Sequence, residues 1–445
     1  MSATRTMRLG AFLYATGHHI AAWRHPSAQA DSGFDIDHYI RVAQSCERAG
    51  FDLLFLEDGS GVREADLNIA SHSARAAHFE PVSLLAALAV QTSRIGLVGT
   101  VSTSYHEPYH VARTIASLDH LSGGRAGWNL VTSQSDLEAQ NFGLTGQRLH
   151  ADRYARAEEF VEVVQALWDS YDDDAIVEDC ENARYYDEAR LRRISHKGAH
   201  FSVRGPLNVI RTPQGHPVIV QAGASESGLT LASRSADVVF AAAQTLEEGQ
   251  RYYRDLKRRV REAGRRPEDL LVMPGIFAVA GTSRAEAEER FEQLQELIDP
   301  EVGVRLLFQH LGVAVPANLA LDEPLPANLL QTNGNRSRQQ LLLDLAARER
   351  LTVRELYRKV AGARGHWQVV GTAQDIADQM QERFEHEAAD GFNIMPPTLP
   401  GGLDDFIERV LPELQRRGLW RPQQGSTLRE SLGLPRPARK SVSAA

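Results

Sequence analysis

Cysteine is nearly absent. Cys46 and Cys180 are the only two in 445 residues, so neither a disulfide framework nor a four-thiolate zinc site can be built, and a reducing, cytoplasmic setting is expected. Long apolar runs are missing as well. The stretch at residues 9–15 stops at Gly17 and His18, too short for a signal-peptide core or a membrane span, so neither export nor membrane anchoring is expected. Positive charge is not in excess: 49 Lys plus Arg face 58 Asp plus Glu, and a net charge of −9 gives no general field for nucleic acid or anionic lipid. The G-x-G-x-x-G fingerprint, the Walker A loop and the G-x-S-x-G elbow are also lacking, which leaves nicotinamide binding without support.

What is present is a foldable chain, 42% hydrophobic, long enough for one large barrel or for two or three small domains. Apolar, strand-like runs at residues 9–14, 53–57, 95–102, 126–133, 218–222, 237–242, 271–280 and 391–395 alternate with segments of helical periodicity. The intervening segments at 37–50, 81–91, 111–121, 246–264 and 373–390 are long enough for crossover helices. This alternation predicts the α/β class and a (β/α)8 TIM-type barrel. The clearest helix spans about 151–170, with Tyr154, Ala157, Val161, Val164 and Trp168 on one face. Residues 171–216 and 299–367 exceed ordinary connections and are expected as insertion segments over the C-terminal mouth, the second being a candidate lid. Residues 1–420 are thus read as one barrel domain, and 421–445 as a poorly ordered C-terminal extension.

His106, Glu107 and His110 fit the H-E-x-x-H zinc pattern, but Pro108 belongs at the first position of a helix and not inside one carrying both histidines, so no metal site is expected. Gly223, Ala224, Ser225 and Gly228 follow a strand and open a helix. Backbone N–H groups at a helix start, a hydroxyl and permissive glycines suit a phosphate, although a plain serine-capped turn has the same sequence. Other strand ends place Asp58, Ser104, Asn129 and Ser133 toward the same mouth, and His150 with Tyr154 share a helix face. His18, His19 and Trp23, beyond the first strand, are candidate substrate contacts, with Phe12 and Tyr14 on that strand. A neutral polar set with one carboxylate, one imidazole and a phosphate-type turn suits a phosphorylated cofactor better than a lone metal ion.

Residues 17–26 (GHHIAAWRHP), 125–133 (RAGWNLVTS), 153–168 (RYARAEEFVEVVQALW), 196–223 (HKGAHFSVRGPLNVIRTPQGHPVIVQAG) and 390–403 (DGFNIMPPTLPGGL) carry a further reading. In these stretches the chain closely resembles the nitrilotriacetate, dibenzothiophene-sulfone and pristinamycin-type monooxygenases of the bacterial luciferase-like superfamily. The resemblance spans nearly the whole sequence. It implies a TIM-type barrel that uses reduced FMN and O2, the FMNH2 coming from a separate NAD(P)H:flavin reductase. By motif position it places flavin contacts at Asp58, Ser104, His150, Tyr154 and Ser225, with Gly223 and Ala224 holding the phosphate through their backbone.

The same resemblance implies that the flavin forms a C4a-(hydro)peroxide which oxygenates a small organosulfur, aromatic or amine compound. His150 would position the flavin or move a proton, while His18 and Trp23 would touch substrate. A homo-oligomer, dimer or tetramer, is expected. Two other readings are an F420-dependent oxidoreductase of the same superfamily and a non-catalytic flavin-binding protein.

Overall fold

The strand runs are apolar on both faces, as a strand must be when helices cover one side and other strands' side chains fill the other. Along β1 (Arg8–Leu13), Leu9, Ala11 and Leu13 pack in the outer layer with Leu54, Leu56 and Leu97, while Phe12 packs in the lumen with Phe55, Val98 and Phe240. The computed structural model describes residues 5–439 apart from 63, 224, 327–328, 333–335 and 423–424, and only the backbone of residue 337.

The other strands are β2 (Leu53–Leu56), β3 (Gly96–Ser102), β4 (Ala126–Val131), β5 (Val218–Ala222), β6 (Val238–Phe240), β7 (Leu271–Val272), β8 (Gly275–Gly281), β9 (Trp367–Thr372) and β10 (Gly391–Ile394). They form one sheet in the order β7-β6-β5-β4-β3-β2-β1-β10-β8-β9, and adjacent strands are parallel. The two ends of that order are joined by the chain itself. β7 and β8 are one strand interrupted at Pro274, which has no N–H to donate to a ladder. On one side Met273 N and Gly275 N donate to Val239 O and Ala241 O (2.9 and 3.2 Å). On the other, Pro274 O and Ile276 O accept from Asn393 N and Met395 N (3.0 and 2.8 Å). Eight staves therefore close into the expected barrel. β9 is an addition at the outer edge of β8, with Trp367 and Val369 buried at every second position. It begins where the expected insertion was taken to end, so its alternation was absorbed into a boundary.

The 299–367 insertion lies at the mouth end and has a core of its own. Helices Pro300–Leu311, Arg336–Glu349 and Val353–Ala363 bury Leu307, Phe308, Leu342, Leu356 and Val360 together, packed on Ile20 and Ile69 of the barrel loops. Residues 171–216 do not share that position. Two short antiparallel hairpins there run along helix His150–Trp168, whose Glu159 accepts from His200 N and Phe201 N (both 2.8 Å). The segment ends near the opposite rim, where Gln214 Nε2 donates to the carbonyl of Ala126, the first residue of β4 (2.9 Å).

The tail is a further correction. Within 425–439 the chain forms helix Leu428–Leu432 and seals the barrel floor: Leu428, Leu432 and Leu434 belong to the lumen core. Gly96 makes room for it, since a Cβ there would overlap the Leu428 side chain. Arg429 ties the helix down by donating to both Asp237 carboxylate oxygens (3.1 and 2.7 Å). Each buried leucine of this plug contributes about 2 kcal/mol of burial. Read alone, the Pro- and Arg-rich tail looks disordered, because its apolar partners lie hundreds of residues earlier.

Candidate active site

Two groups of polar side chains form at the C-terminal ends of the strands, and they differ in construction. The first begins where β5 ends. Gly223 leads to Ser225, whose Oγ accepts from Gly228 N (3.2 Å) and caps helix Glu226–Ser235. Ala224 lies outside the described residues. The Tyr154 hydroxyl stands beside this turn, where a Cβ on Gly223 or Gly228 would come within 3.6 or 3.3 Å of it. Tyr252 OH donates to the Gly223 carbonyl (2.9 Å), and Glu226 is turned outward onto Arg259 by two hydrogen bonds (2.6 and 2.8 Å). The nearest helix-borne carboxylate is thus paired away from the turn.

Helix His150–Trp168 brings His150 and Tyr154 to this place in its first two turns, with ring centroids 4.7 Å apart. The helix is docked on the end of β3 by Arg156, which donates to Thr103 O and, at 3.3 Å, to His106 O. Just before it, Arg148 reaches Ser104 O (3.4 Å). Burial, with Arg153 and Arg336 nearby, holds His150 below the usual imidazole value, so its ring is neutral at pH 7 and has one N–H and one lone pair to offer.

Between the ends of β2, β3 and β4 lies a cavity of about 460 Å³, lined by Asp58, Gly61, His78, Thr100, Ser102 and Ser133 among others. Asp58 accepts from His78 (3.0 Å), Ser102 and Ser133 share a hydrogen bond (2.8 Å), and Ser104 N donates to Ser102 Oγ (3.1 Å). His106 also faces this cavity, outside helix Pro108–Ser122, which starts at Pro108 with Glu107 as its cap. His106 and His110 therefore do not share a helix face. Among the described residues, no group of three or more His, Cys, Asp or Glu is arranged to hold a metal ion.

The second group fills the centre of the mouth. Tyr14 OH donates to Glu57 Oε2 (2.6 Å), and Arg364 donates to both that oxygen (2.9 Å) and the tyrosine oxygen (2.7 Å). The other arm of Arg364 donates to His18 Nδ1 (3.1 Å), while His18 Nε2 donates to the Phe12 carbonyl (2.9 Å). Arg75 crosses the Tyr14 ring at 4.7 Å and donates to His18 O, and Arg338 donates to Arg364 O and to His366 Nε2 (3.2 Å). Burial, together with Arg364 and Arg75, keeps His18 well below its ordinary value and hence neutral. Arg364 ends helix Val353–Ala363 in the left-handed region (φ 51°), a place usually given to glycine. Such a conformation costs a side-chain-bearing residue about 1 kcal/mol, so the guanidinium is what the position serves.

The structure thus gathers Ser104, His150, Tyr154, Gly223 and Ser225 around one end of a docked helix, puts Asp58 in the adjoining cavity, and buries His18 in the central network. It does not bring Trp23 there. Trp23 lines a separate pocket of about 240 Å³ with Ile20, His72 and Asp299. Tyr14 and Glu57 continue the inward register of Phe12 and Phe55 by two residues, a signal present in the sequence. Arg75, Arg338, Arg364 and His366 have no such signal, because loops and helix ends deliver them.

A closed parallel barrel with its polar groups at the C-terminal strand ends defines an enzyme of the TIM-barrel type. The particular family follows from comparison: residues 11–390 match the luciferase-like monooxygenase family, and the chain belongs to it. It is 46% identical over 441 residues to the N-acetyl-S-(2-succino)cysteine monooxygenase of Bacillus subtilis, covering 99% of each chain. It is 47% identical over 445 residues to nitrilotriacetate monooxygenase component A of Aminobacter aminovorans, covering 98% of each. Among solved structures it superposes on a riboflavin lyase with modified FMN and riboflavin at a TM-score of 0.86, with 32% identity and 96% of each chain covered. The chain is a flavin-dependent monooxygenase of this family.

Proposed function

We propose that the flavin is FMN, used as FMNH2 with O2, and that its phosphate sits on the 223–228 turn. The observation that carries this reading is the glycine-lined space between the Tyr154 hydroxyl and the helix start capped by Ser225, which side chains at Gly223 and Gly228 would fill. Backbone N–H groups and the positive end of the helix dipole suit a phosphate there, with the Tyr154 and Ser225 hydroxyls completing the set. The fit is good in sign as well, because Glu226 is held outward by Arg259.

In this reading Asp58 and Ser104 border the flavin ring, and Gly223 and Ala224 serve the phosphate through their backbone. When bound, reduced FMN supplies the oxygen activation. The chain's own work is to orient the ring, exclude water and place the substrate. The insertion at 299–367 is the proposed lid, since it lies at the mouth and carries an independent core. His150, neutral at pH 7, is the proposed proton-handling group, donating from one ring nitrogen and accepting at the other. His18 and, from its separate pocket, Trp23 are the proposed contacts for a small organosulfur, aromatic or amine substrate.

A separate NAD(P)H:flavin reductase is the proposed partner. A relative named as component A of nitrilotriacetate monooxygenase supports a multi-component arrangement, and this chain has no dinucleotide fingerprint. A homo-oligomer and a cytoplasmic location complete the proposal; no helix among the described residues is long and apolar enough to cross a membrane. The test is rapid mixing of the protein with anaerobically reduced FMN and then oxygenated buffer, following flavin absorbance. Reoxidation clearly slower than that of free FMN is expected. Reoxidation at the free rate would overturn the reading and favour the F420-dependent or non-catalytic alternative.

A further inference from the structure

The 460 Å³ cavity has walls of two origins. Val131 and Ser133 come from the end of β4 and the loop after it, beside β5 and the 223–228 turn, whereas Asp58 and His78 come from the loop after β2, two staves farther round. A flavin anchored on the turn reaches the cavity from the β4 side, so the β2 wall is left for the substrate. His78 is fixed on that wall by its neighbours in sequence. Phe79 packs edge-on against Phe34 and Tyr39 (ring centroids 5.0 and 5.9 Å apart), and Glu80 caps helix Pro81–Ala89 by accepting from Val82 N and Ser83 N (2.9 and 2.7 Å).

His78 Nε2 lies 3.0 Å from Asp58 Oδ1. A carboxylate only accepts, so in the neutral ring the proton sits on Nε2 and the lone pair on Nδ1. Nδ1 makes no hydrogen bond among the described residues, in a side chain that lines the cavity and is 37% exposed. Two further titratable groups line the same space. Glu80 uses both carboxylate oxygens as a helix cap, and His106 Nδ1 donates to the Ser102 carbonyl (2.9 Å), which leaves Nε2 as its acceptor. The two imidazoles differ in what stands behind them. A carboxylate stabilises the cation that proton uptake creates with a full charge, whereas a carbonyl offers only a dipole. His78 is therefore the better placed of the two to take a proton from a ligand in the cavity.

We infer that the Asp58–His78 pair is the base that meets the substrate, and that the substrate is an organic thiol whose S–H faces Nδ1. This rests on the reading of the mouth as the oxygenation site. An imidazole can take the proton of a thiol, because the two groups hold a proton with affinities a few units apart, but not that of a neutral amine or a C–H bond. Phe34, Val62 and Val131 give the cavity an apolar lining for the uncharged part of such a molecule. The S–H bond breaks, its proton goes to Nδ1 and its electron pair stays on sulfur, which takes the oxygen atom. FMNH2 and O2 supply that atom and the two electrons that reduce the other oxygen to water, and His78 returns its proton to the new S–O group. The overall change is thiol, FMNH2 and O2 to sulfenic acid, FMN and water.

The test uses 4-nitrophenol, an O–H acid whose colour reports loss of its proton, titrated with the purified full chain without flavin at about one pH unit below the phenol's own ionisation. Its methyl ether, 4-nitroanisole, is the control without a proton, and FMN is titrated separately by fluorescence. Bound 4-nitrophenol is expected to show the phenolate band, with a phenolate-to-phenol ratio about tenfold or more above that of the free compound. His78→Gln keeps an N–H toward Asp58 but removes the base, so the ratio should return toward the free value while 4-nitroanisole and FMN bind as before. His106→Gln should leave the ratio unchanged. Thiophenol should displace the phenol about tenfold or more better than thioanisole, which has no S–H. Absence of the phenolate band, its persistence in His78→Gln, its loss in His106→Gln, or equal displacement by thiophenol and thioanisole overturns the inference. Loss of FMN affinity in His78→Gln also overturns it, by assigning the imidazole to the flavin. Wild-type protein that ionises the phenol but does not bind FMN upholds the pair and removes the FMN reading instead.

Discussion

The glycine turn at 223–228 and the arginine cluster present positive potential at the same barrel mouth by opposite means. The turn uses only backbone N–H groups, hydroxyls and the end of a helix, and its one adjacent carboxylate is paired with Arg259 outside. It carries no formal charge, so it is stable whether or not an anion is present. The cluster uses full charges on long side chains from separate segments, around Tyr14, Glu57, Arg75, Arg338 and Arg364. Arg364 joins three of its members by donating to Glu57, Tyr14 and His18. The contrast is one of construction: the turn would meet a phosphate with backbone groups and hydroxyls, whereas the cluster is tied together by guanidinium side chains.

The largest expected effect comes from taking the cluster's anchor away. Arg364→Met removes the guanidinium that joins Glu57, Tyr14 and His18 and should lower unfolding free energy by about 3 kcal/mol, read as a fall in Tm, with Glu57→Gln in the same chain recovering part of it. An unchanged Tm would mean that the network is not held through Arg364. Next comes Ser225→Asp. Aspartate is as good an N-cap as serine, so the helix should survive, while the added charge opposes the phosphate; FMN affinity should fall by about 2 kcal/mol, some thirtyfold, with Tm preserved. FMN titration curves that superimpose would remove the turn from phosphate binding.

The third effect is in pH. Burial holds His18, His310 and His366 well below the ordinary imidazole value, so below pH 6.5 the unfolded chain binds protons that the folded chain refuses. The stability these residues contribute is therefore complete above about pH 6.5 and is lost as pH falls toward their folded values, by up to about 1.4 kcal/mol per unit for each. Tm measured from pH 7.5 to 5.5 should drop, and less steeply in His366→Gln; identical slopes would contradict the neutral, buried state of that ring. Smallest is Tyr154→Phe, which removes one hydroxyl from the cradle and should weaken FMN by about 1 kcal/mol in a fluorescence titration. FMN affinity equal to that of the unaltered chain would remove Tyr154 from the cradle.

The same contrast explains what could be read in advance. The turn is six consecutive residues after an apolar strand, so strand, glycine and cap are local signals that any reader of the chain meets together. His150 and Tyr154 are one helical turn apart and equally legible. The cluster joins residues up to 350 positions apart, and Arg364 and His366 come from the end of an insertion whose sequence shows only helical periodicity. Trp23 follows the first strand closely, and the short helical turn Ala22–Arg24 carries it to a pocket separate from the one Asp58 lines.

By itself, the sequence determined the staves and their partners in kind. Continuous apolar stretches on eight runs, separated by segments long enough for crossover helices, leave a parallel closed sheet as the arrangement that buries both faces of every strand. It also determined the glycine turn, since backbone conformation there is set by neighbouring residues. Only the tertiary structure decided the guanidinium network at the mouth, the pocket that Trp23 lines and the closure of the floor by Leu428 against Gly96. Each of these depends on which distant groups share a few ångströms of buried space, and neither charge balance nor volume can be summed until the fold has brought those groups together.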